Sequence, residues 1–238
     1  MKRSKINALL EDALEFVASL KVALPPFAHW TPEQWRTLGP EALEIAERGL
    51  GWDVTDFGSS CFEKVGLLLL TLRNGHPKAL LTQQGKVYAE KILVVAEGQV
   101  TPTHFHFHKT EDIIHRGGGG VLALELHWAA PDDTLSNMEL SVSLDGVART
   151  VSAGSVVRLE PGQSITLPSR MYHRFWAEGG RVLAGEVSSV NDDFSDNHFL
   201  ETLGRFPSIE EDVAPFRLLV GDYSRYYAHA TGGSSGGY

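Results

Sequence analysis

The 238-residue sequence predicts a mainly β protein, a sandwich or barrel, with helices chiefly in its N-terminal quarter. Two observations carry that expectation. From Phe57 onward, short runs rich in Val, Leu and Ile alternate with Gly, Asn, Asp and Pro turns, whereas the residues before it follow a helical period. No internal repeat and no compositional break marks a second unit. The expected organisation is one domain: a helical extension over 1–56, a barrel core over 57–190, a C-terminal extension over 191–228 and a flexible glycine- and serine-rich tail over 229–238.

The helices come first. Ile6, Leu9, Leu10, Ala13, Leu14 and Val17 recur at helical spacing, and Pro25-Pro26 ends the pattern. Thr31 followed by Pro32 reads as a cap with proline at the first helical position, and Pro40 starts a short helix ending near Gly49 and Gly51. Strands are expected near 64–72, 78–82, 87–96, 101–108, 120–128, 138–144, 148–151, 155–159, 164–167, 173–177 and 182–187. Asn74-Gly75 and Asp145-Gly146 are hairpin-turn signals. After Val190 the chain turns polar, with an acidic helix-like piece near 208–212. The helices are expected to cover one outer face or one open end.

Composition narrows the partners. An apolar share of 42 %, with 11 Phe and 5 Trp, fills a substantial core. A net charge of −9 gives no broad attraction for nucleic acid or an anionic membrane. The longest apolar runs are strand-length, too short to cross a bilayer. One cysteine, Cys61, allows no intramolecular disulfide, and a reducing cytoplasm is the expected compartment.

Chemistry concentrates in Thr103-His104-Phe105-His106-Phe107-His108-Lys109-Thr110-Glu111. Residues two apart on a strand share a face, so His104 and His106 aim at one point, and Glu111, past a bend, completes a third corner. Imidazole plus carboxylate suits Mn²⁺, Fe²⁺, Co²⁺, Ni²⁺ or Zn²⁺, and the lack of thiolate argues against a structural zinc. His173, opening a strand after a turn, is the fourth candidate ligand. His108 continues the alternation, but pairing it with His106 leaves Glu111 too near, so it is placed outside the ligand set. His115 and His127 read as structural or surface residues.

The spacing Gly98-x5-His104-x-His106-x4-Glu111-x6-Gly118 resembles the first motif of the cupin family, and Gly162, Pro168 and His173 resemble its second. Arg170 stands where that family has Gly, and Ala177 where it has Asn. The resemblance implies a double-stranded β-helix, or jelly-roll, barrel. Three His and one Glu leave two adjacent positions for a substrate with neighbouring oxygens, which suits aldose–ketose isomerisation, or oxygen chemistry if the ion is Fe²⁺.

A closer resemblance separates the two. Leu24-Pro25-Pro26-Phe27-Ala28, Gly51-Trp52-Asp53-Val54-Thr55-Asp56-Phe57-Gly58, the stretch from Glu111 to Gly119, and Val190-Asn191-Asp192-Asp193 are similar to the D-lyxose isomerase family, from the first helix to about Pro215. This resemblance implies a homodimeric, usually Mn²⁺-dependent isomerase interconverting D-lyxose and D-xylulose, often with D-mannose and D-fructose as a second pair. The family's ligands carry over onto His104, His106, Glu111 and His173.

An enediol route needs a base near C2 and a proton carrier near the oxygens. Lys109 adjoins the ligands, while Lys91 and Glu186 are charges inside apolar strands; a buried Glu186 is expected to have a raised pKa and serve as base. Asp193 and Arg205 are candidate sugar contacts at the barrel mouth. The Gly117–Gly120 run lacks the lysine and helix of a phosphate loop, which favours free sugars. An Fe²⁺-dependent cupin dioxygenase and a non-catalytic sugar-binding cupin remain as alternatives. Oxygen consumption marks the first, and ligand-induced stabilisation without product marks the second.

Overall fold

The computed structural model describes residues 1–82, 84–193, 195–204 and 208–230. Arg205 and the tail over 231–238 lie outside the described residues. Among the described residues, thirteen strands form two sheets in which neighbouring strands are antiparallel. The larger sheet runs β1 (Gly51–Thr55), β2 (Leu67–Asn74), β3 (Tyr88–Val95), β12 (Val182–Ser189), β5 (Glu111–Gly118), β10 (Ser164–Leu167), β7 (Leu140–Leu144) and β8 (Val147–Val151). The smaller runs β13 (Asn197–Phe199), β4 (Thr101–His106), β11 (Met171–Glu178), β6 (Val121–Trp128) and β9 (Val156–Leu159). This is the mainly β cupin architecture, with helices outside the sheets.

The run Leu67-Leu68-Leu69-Leu70 shows why β2 is apolar without interruption. Leu67 and Leu69 point into the core shared by both sheets, with Leu93, Leu124 and Phe175. Leu68 and Leu70 point outward, onto helix α1 (Arg3–Ser19), whose Ile6, Leu10, Ala13 and Val17 are buried there beside Trp52 and Ile92. A strand buried on both faces has no polar side to show in its sequence. Helix α2 (Pro32–Thr37) starts at the Thr31 cap as read, and Gln34 completes a capping box there. Its Trp35 packs against Tyr223 of α5 (Tyr223–Tyr226).

The N- and C-terminal regions are joined through a buried charge. The Arg3 guanidinium is fully buried and donates to both oxygens of Asp222 at 3.0 and 2.7 Å and to both of Glu211 at 2.8 Å. Two bidentate carboxylates satisfy the fork, so the charge is tolerated at the base of α1.

Several expectations fail, each for a local reason. Residues 78–82 are not a strand but part of α4 (Pro77–Thr82), because Pro77 suits a helix start and Ala79, Leu80 and Leu81 are good helix formers. Asn74-Gly75 therefore does not close a two-residue hairpin; α4 lies within the β2–β3 connection. Gly75 answers to space instead, since a Cβ there would lie 2.0 Å from the Lys86 carbonyl oxygen. The region 1–56 is not wholly helical: residues 51–55 form edge strand β1, with Trp52 and Val54 facing α1. Residues 208–212 are not helical either. Glu210 runs beside Lys2 in a parallel bridge, and its carbonyl accepts from Arg3 N at 2.8 Å. Strands β5 and β13 lie where the sequence shows only a bend, a glycine run and a polar stretch. The Asp145-Gly146 hairpin forms as read, with both residues left-handed at φ 51° and 81°, between β7 and β8.

Arg170, standing where the cupin pattern has glycine, keeps the glycine-like backbone at φ 63°. Its side chain offsets that strain. One guanidinium nitrogen reaches Asp133 Oδ1 at 2.6 Å and the Ala130 carbonyl at 2.9 Å, and the group lies 5.1 Å from the Phe105 ring centre. The turn also donates Arg170 N to the His106 carbonyl at 2.8 Å, tying the start of β11 to the end of β4.

Two measurements test these assignments. Leu10→Ala removes fully buried side-chain volume between α1 and the sheet, and is expected to cost about 2–5 kcal/mol in urea unfolding; an unchanged midpoint contradicts the α1 interface. At position 170, both Ala and Gly lose the arginine contacts, but Ala keeps the strained backbone. Arg170→Gly should therefore be more stable than Arg170→Ala by about 1 kcal/mol, and the reverse order contradicts the strain.

Candidate metal centre

Strand pairing assembles the histidines. His104 and His106 alternate on β4 and face the interior, while Phe105 between them points outward, its ring 4.8 Å from that of Tyr172. In the β4–β11 ladder His173 sits directly opposite His104. The ligand nitrogens of His104, His106 and His173 lie within 4.8 Å of one another, and all three residues are buried. Glu111, at the start of β5 on the facing sheet, completes the group. Its two carboxylate oxygens lie 3.4 Å from His106 Nε2 and 3.1 Å from His173 Nε2.

The donor set fits a divalent ion. His104 Nδ1 is 2.8 Å from the Pro102 carbonyl, and His173 Nδ1 is 3.1 Å from the Met171 carbonyl. A carbonyl only accepts, so each Nδ1 carries the proton and each Nε2 presents its lone pair. Burial lowers the pKa of His104 well below the usual imidazole range, with His173 and His106 adding to the effect. Burial, then the Lys109 ammonium, lowers that of His106. Neutral imidazoles beside an ionised carboxylate are what a metal requires.

Charged side chains surround this group, and the strand register explains them. Lys91 on β3 lies directly opposite Glu186 on β12, both pointing into the same cavity. Lys91 Nζ is 3.3 Å from Glu186 Oε1, and Lys109 Nζ is 2.8 Å from that same oxygen. Lys109 Nζ also lies 2.7 Å from Glu111 Oε2, so it bridges the histidine cluster and the Lys91–Glu186 pair. All four residues are buried. Lys109 is no surface lysine. Its turn is held by Asp196, whose carboxylate accepts from the backbone N–H groups of His108 and Lys109 at 2.7 and 3.0 Å.

Burial and charge oppose one another at these groups, and charge wins. Burial alone would lower the pKa of Lys109, but Glu111 and Glu186 raise it well above the ordinary range. Burial would raise Glu111, but Lys109 and His106 hold it well below the carboxylate range. The raised pKa expected for Glu186 is corrected in the same way. Burial pushes it up, but Lys109 and Lys91 pull it further down, leaving an ionised carboxylate.

Of the remaining candidates, Asp193 lines the cavity with Oδ1 3.9 Å from Lys91 Nζ. His108 is exposed, in line with its exclusion from the ligands. His115 is buried, with Nε2 2.8 Å from the Gly120 carbonyl, a structural role. Sequence reasoning missed the apolar wall. Phe199 on β13 pairs with His104 and stacks on its ring at 5.3 Å, and Phe57, left-handed at φ 52°, packs 5.6 Å from Phe199. No short motif marks these two; only the β13–β4 pairing brings Phe199 in.

Comparison with known proteins shows the family and the fold. The family model described as D-lyxose isomerase matches residues 1–223. The chain is 49 % identical over 231 residues to the D-lyxose/D-mannose isomerase of Serratia proteamaculans, covering 96 % of this chain and 100 % of that protein. A D-lyxose/D-mannose isomerase of Escherichia coli is 47 % identical over 229 residues, covering 95 % of this chain and 100 % of its own. Among solved structures, an L-ribose isomerase of Cellulomonas parahominis aligns with a TM-score of 0.59 at 19 % identity, over 88 % of this chain and 98 % of that one, which shows the shared fold. The chain belongs to the D-lyxose isomerase family and is an aldose–ketose isomerase.

Proposed function

We propose that this chain interconverts free D-lyxose and D-xylulose, with D-mannose and D-fructose as a second pair, using a divalent ion held by His104, His106, Glu111 and His173. The observation that carries this reading is a single cavity in which the three imidazoles and Glu111 adjoin an ionised Glu186 flanked by two ammonium groups. The names of the two relatives near half identity support the sugars. Mn²⁺ as native ion, a homodimeric assembly, a single domain and a cytoplasmic site follow from the family resemblance and the composition.

An ion bound there supplies Lewis-acid polarisation of the two neighbouring sugar oxygens. The chain's own residues move the protons. Glu186 accepts the proton from C2, the C–H electron pair forms the C1–C2 double bond, and the carbonyl pair passes to O1. Lys109, between Glu186 and Glu111, donates to the developing oxyanion. Return of a proton to C1, with loss of the O2 proton, gives the ketose. Lys91 keeps Glu186 ionised and in place. Asp193 is assigned to the sugar hydroxyls at the mouth, and Arg205 keeps its expected role as a sugar contact.

Metal-stripped protein incubated with lyxose, mannose, xylose or ribose, with Mn²⁺, Co²⁺, Ni²⁺ or Zn²⁺ restored singly, should yield ketose from lyxose and mannose only when metal is present. Absence of ketose from every pair removes the substrate claim. His173→Ala should lose bound metal and turnover together, and full metal with full rate would refute the ligand assignment. Lys109→Met and Glu186→Gln should keep their metal while kcat falls by about 10²–10⁴-fold; unchanged rates in both discard the proton-transfer roles.

A further inference from the structure

Asn191 is a half-buried neutral neighbour of the buried Lys91–Glu186–Lys109 group, and the mechanism above does not use it. Its Oδ1 lies 2.5 Å from Lys91 Nζ and 3.5 Å from Lys109 Nζ. Glu186 Oε1 reaches the same two nitrogens, so the two ammonium groups sit between one carboxylate oxygen and one amide oxygen. We propose that Asn191 is a positioning residue that holds the Lys91 ammonium, and with it the Glu186 carboxylate, in the geometry the proton transfer needs.

Three features carry this. First, Asn191 itself is fixed from outside the cavity. Asn74, buried at the end of β2, accepts from Asn191 N at 3.0 Å and donates to the Asn191 carbonyl at 3.0 Å, while its amide nitrogen also reaches the Arg48 carbonyl at 3.2 Å. The Asn74 side chain thus acts as a short strand neighbour to the Asn191 main chain and determines where the Asn191 side chain starts.

Second, Lys91 needs more than Glu186. An ammonium has three donors to place when buried, and the carboxylate oxygen at 3.3 Å is a loose partner compared with the amide oxygen at 2.5 Å. Without the amide, the flexible four-carbon stem can swing toward Asp193, 3.9 Å away, and carry its charge off Glu186.

Third, the acceptor is neutral. Glu111, Glu186 and Asp193 already place three carboxylates around two ammonium groups. A fourth carboxylate would compete with Glu186 for both lysines, whereas an amide oxygen orients them without that competition.

The inference rests on the proposed roles of Lys91 and Glu186, and the test separates the two. Asn191→Ala keeps the main-chain bonds to Asn74, so the fold is retained. It is expected to keep its bound metal and a KM within about threefold, while kcat falls at least about tenfold, as a misplaced reacting group does. The same substitution made in Lys91→Met should cost less than about threefold, because the group it positions is gone. If Lys91→Met alone turns over at the normal rate, the acid–base reading fails and this inference with it. If Lys91→Met is impaired but Asn191→Ala is not, or costs as much in both backgrounds, only the Asn191 role is overturned.

Discussion

One carboxylate oxygen between two ammonium groups is the constraint on which the interior depends. Glu186 Oε1 lies 3.3 Å from Lys91 Nζ and 2.8 Å from Lys109 Nζ, inside a barrel where water does little to screen them. At an effective dielectric near 20, each contact is worth about 5 kcal/mol of attraction. Burying each ion costs several kcal/mol, so the set roughly breaks even as a source of stability. Apolar side chains of similar volume would hold the sheets together as well. What they would lack is an ionised carboxylate beside a cluster of imidazole lone pairs. In the proposed reaction the charges serve the chemistry, and removing one member leaves its neighbours buried with fewer partners.

Register turns that constraint into geometry. Lys91 meets Glu186, and His173 meets His104, because β3 pairs with β12 and β11 with β4 in one alignment. A slip of one residue would turn each of these side chains through the sheet, the lysine and glutamate into the apolar layer under α1. The apolar positions forbid it. Leu93 faces the inner core, while Ile92 faces α1, so the same alternation that seats the leucines also seats the charges.

How much of this was legible depends on the range of the signal. His104, His106 and Glu111 are close in the chain, and period-two alternation with a bend suffices to bring them together. Lys91 and Glu186 stood out as charges in apolar strands, but their pairing required a register that no local pattern carries. The direction of the Glu186 pKa is illegible for that reason: the apolar strand shows the burial, and the two ammonium groups arrive only through register. Phe57, Phe199 and Asn191 were not legible as site residues, because each enters through long-range contacts. Residues 78–82 suit a strand or a helix, as any short apolar run does, and Pro77 decides for the helix. Arg170 shows the converse. The motif position was recognised, and the left-handed backbone that glycine normally supplies is kept by an arginine with three compensating contacts.

The fold therefore keeps two tasks on opposite faces of the same strands. The outer faces of β2, β3 and β12 rest on α1 through Leu68, Leu70, Ile92, Val94 and Leu183, all apolar. The inner faces of β3 and β12 carry Lys91 and Glu186 at the open end and Leu93 and Ala184 deeper in. A strand with only one buried face would give up part of its apolar burial to the charges and regain none of it elsewhere. The helical layer supplies that second buried face. With α1 held by Arg3 between Asp222 and Glu211, the sheet gains enough apolar contact outside to afford a polar, reactive surface within.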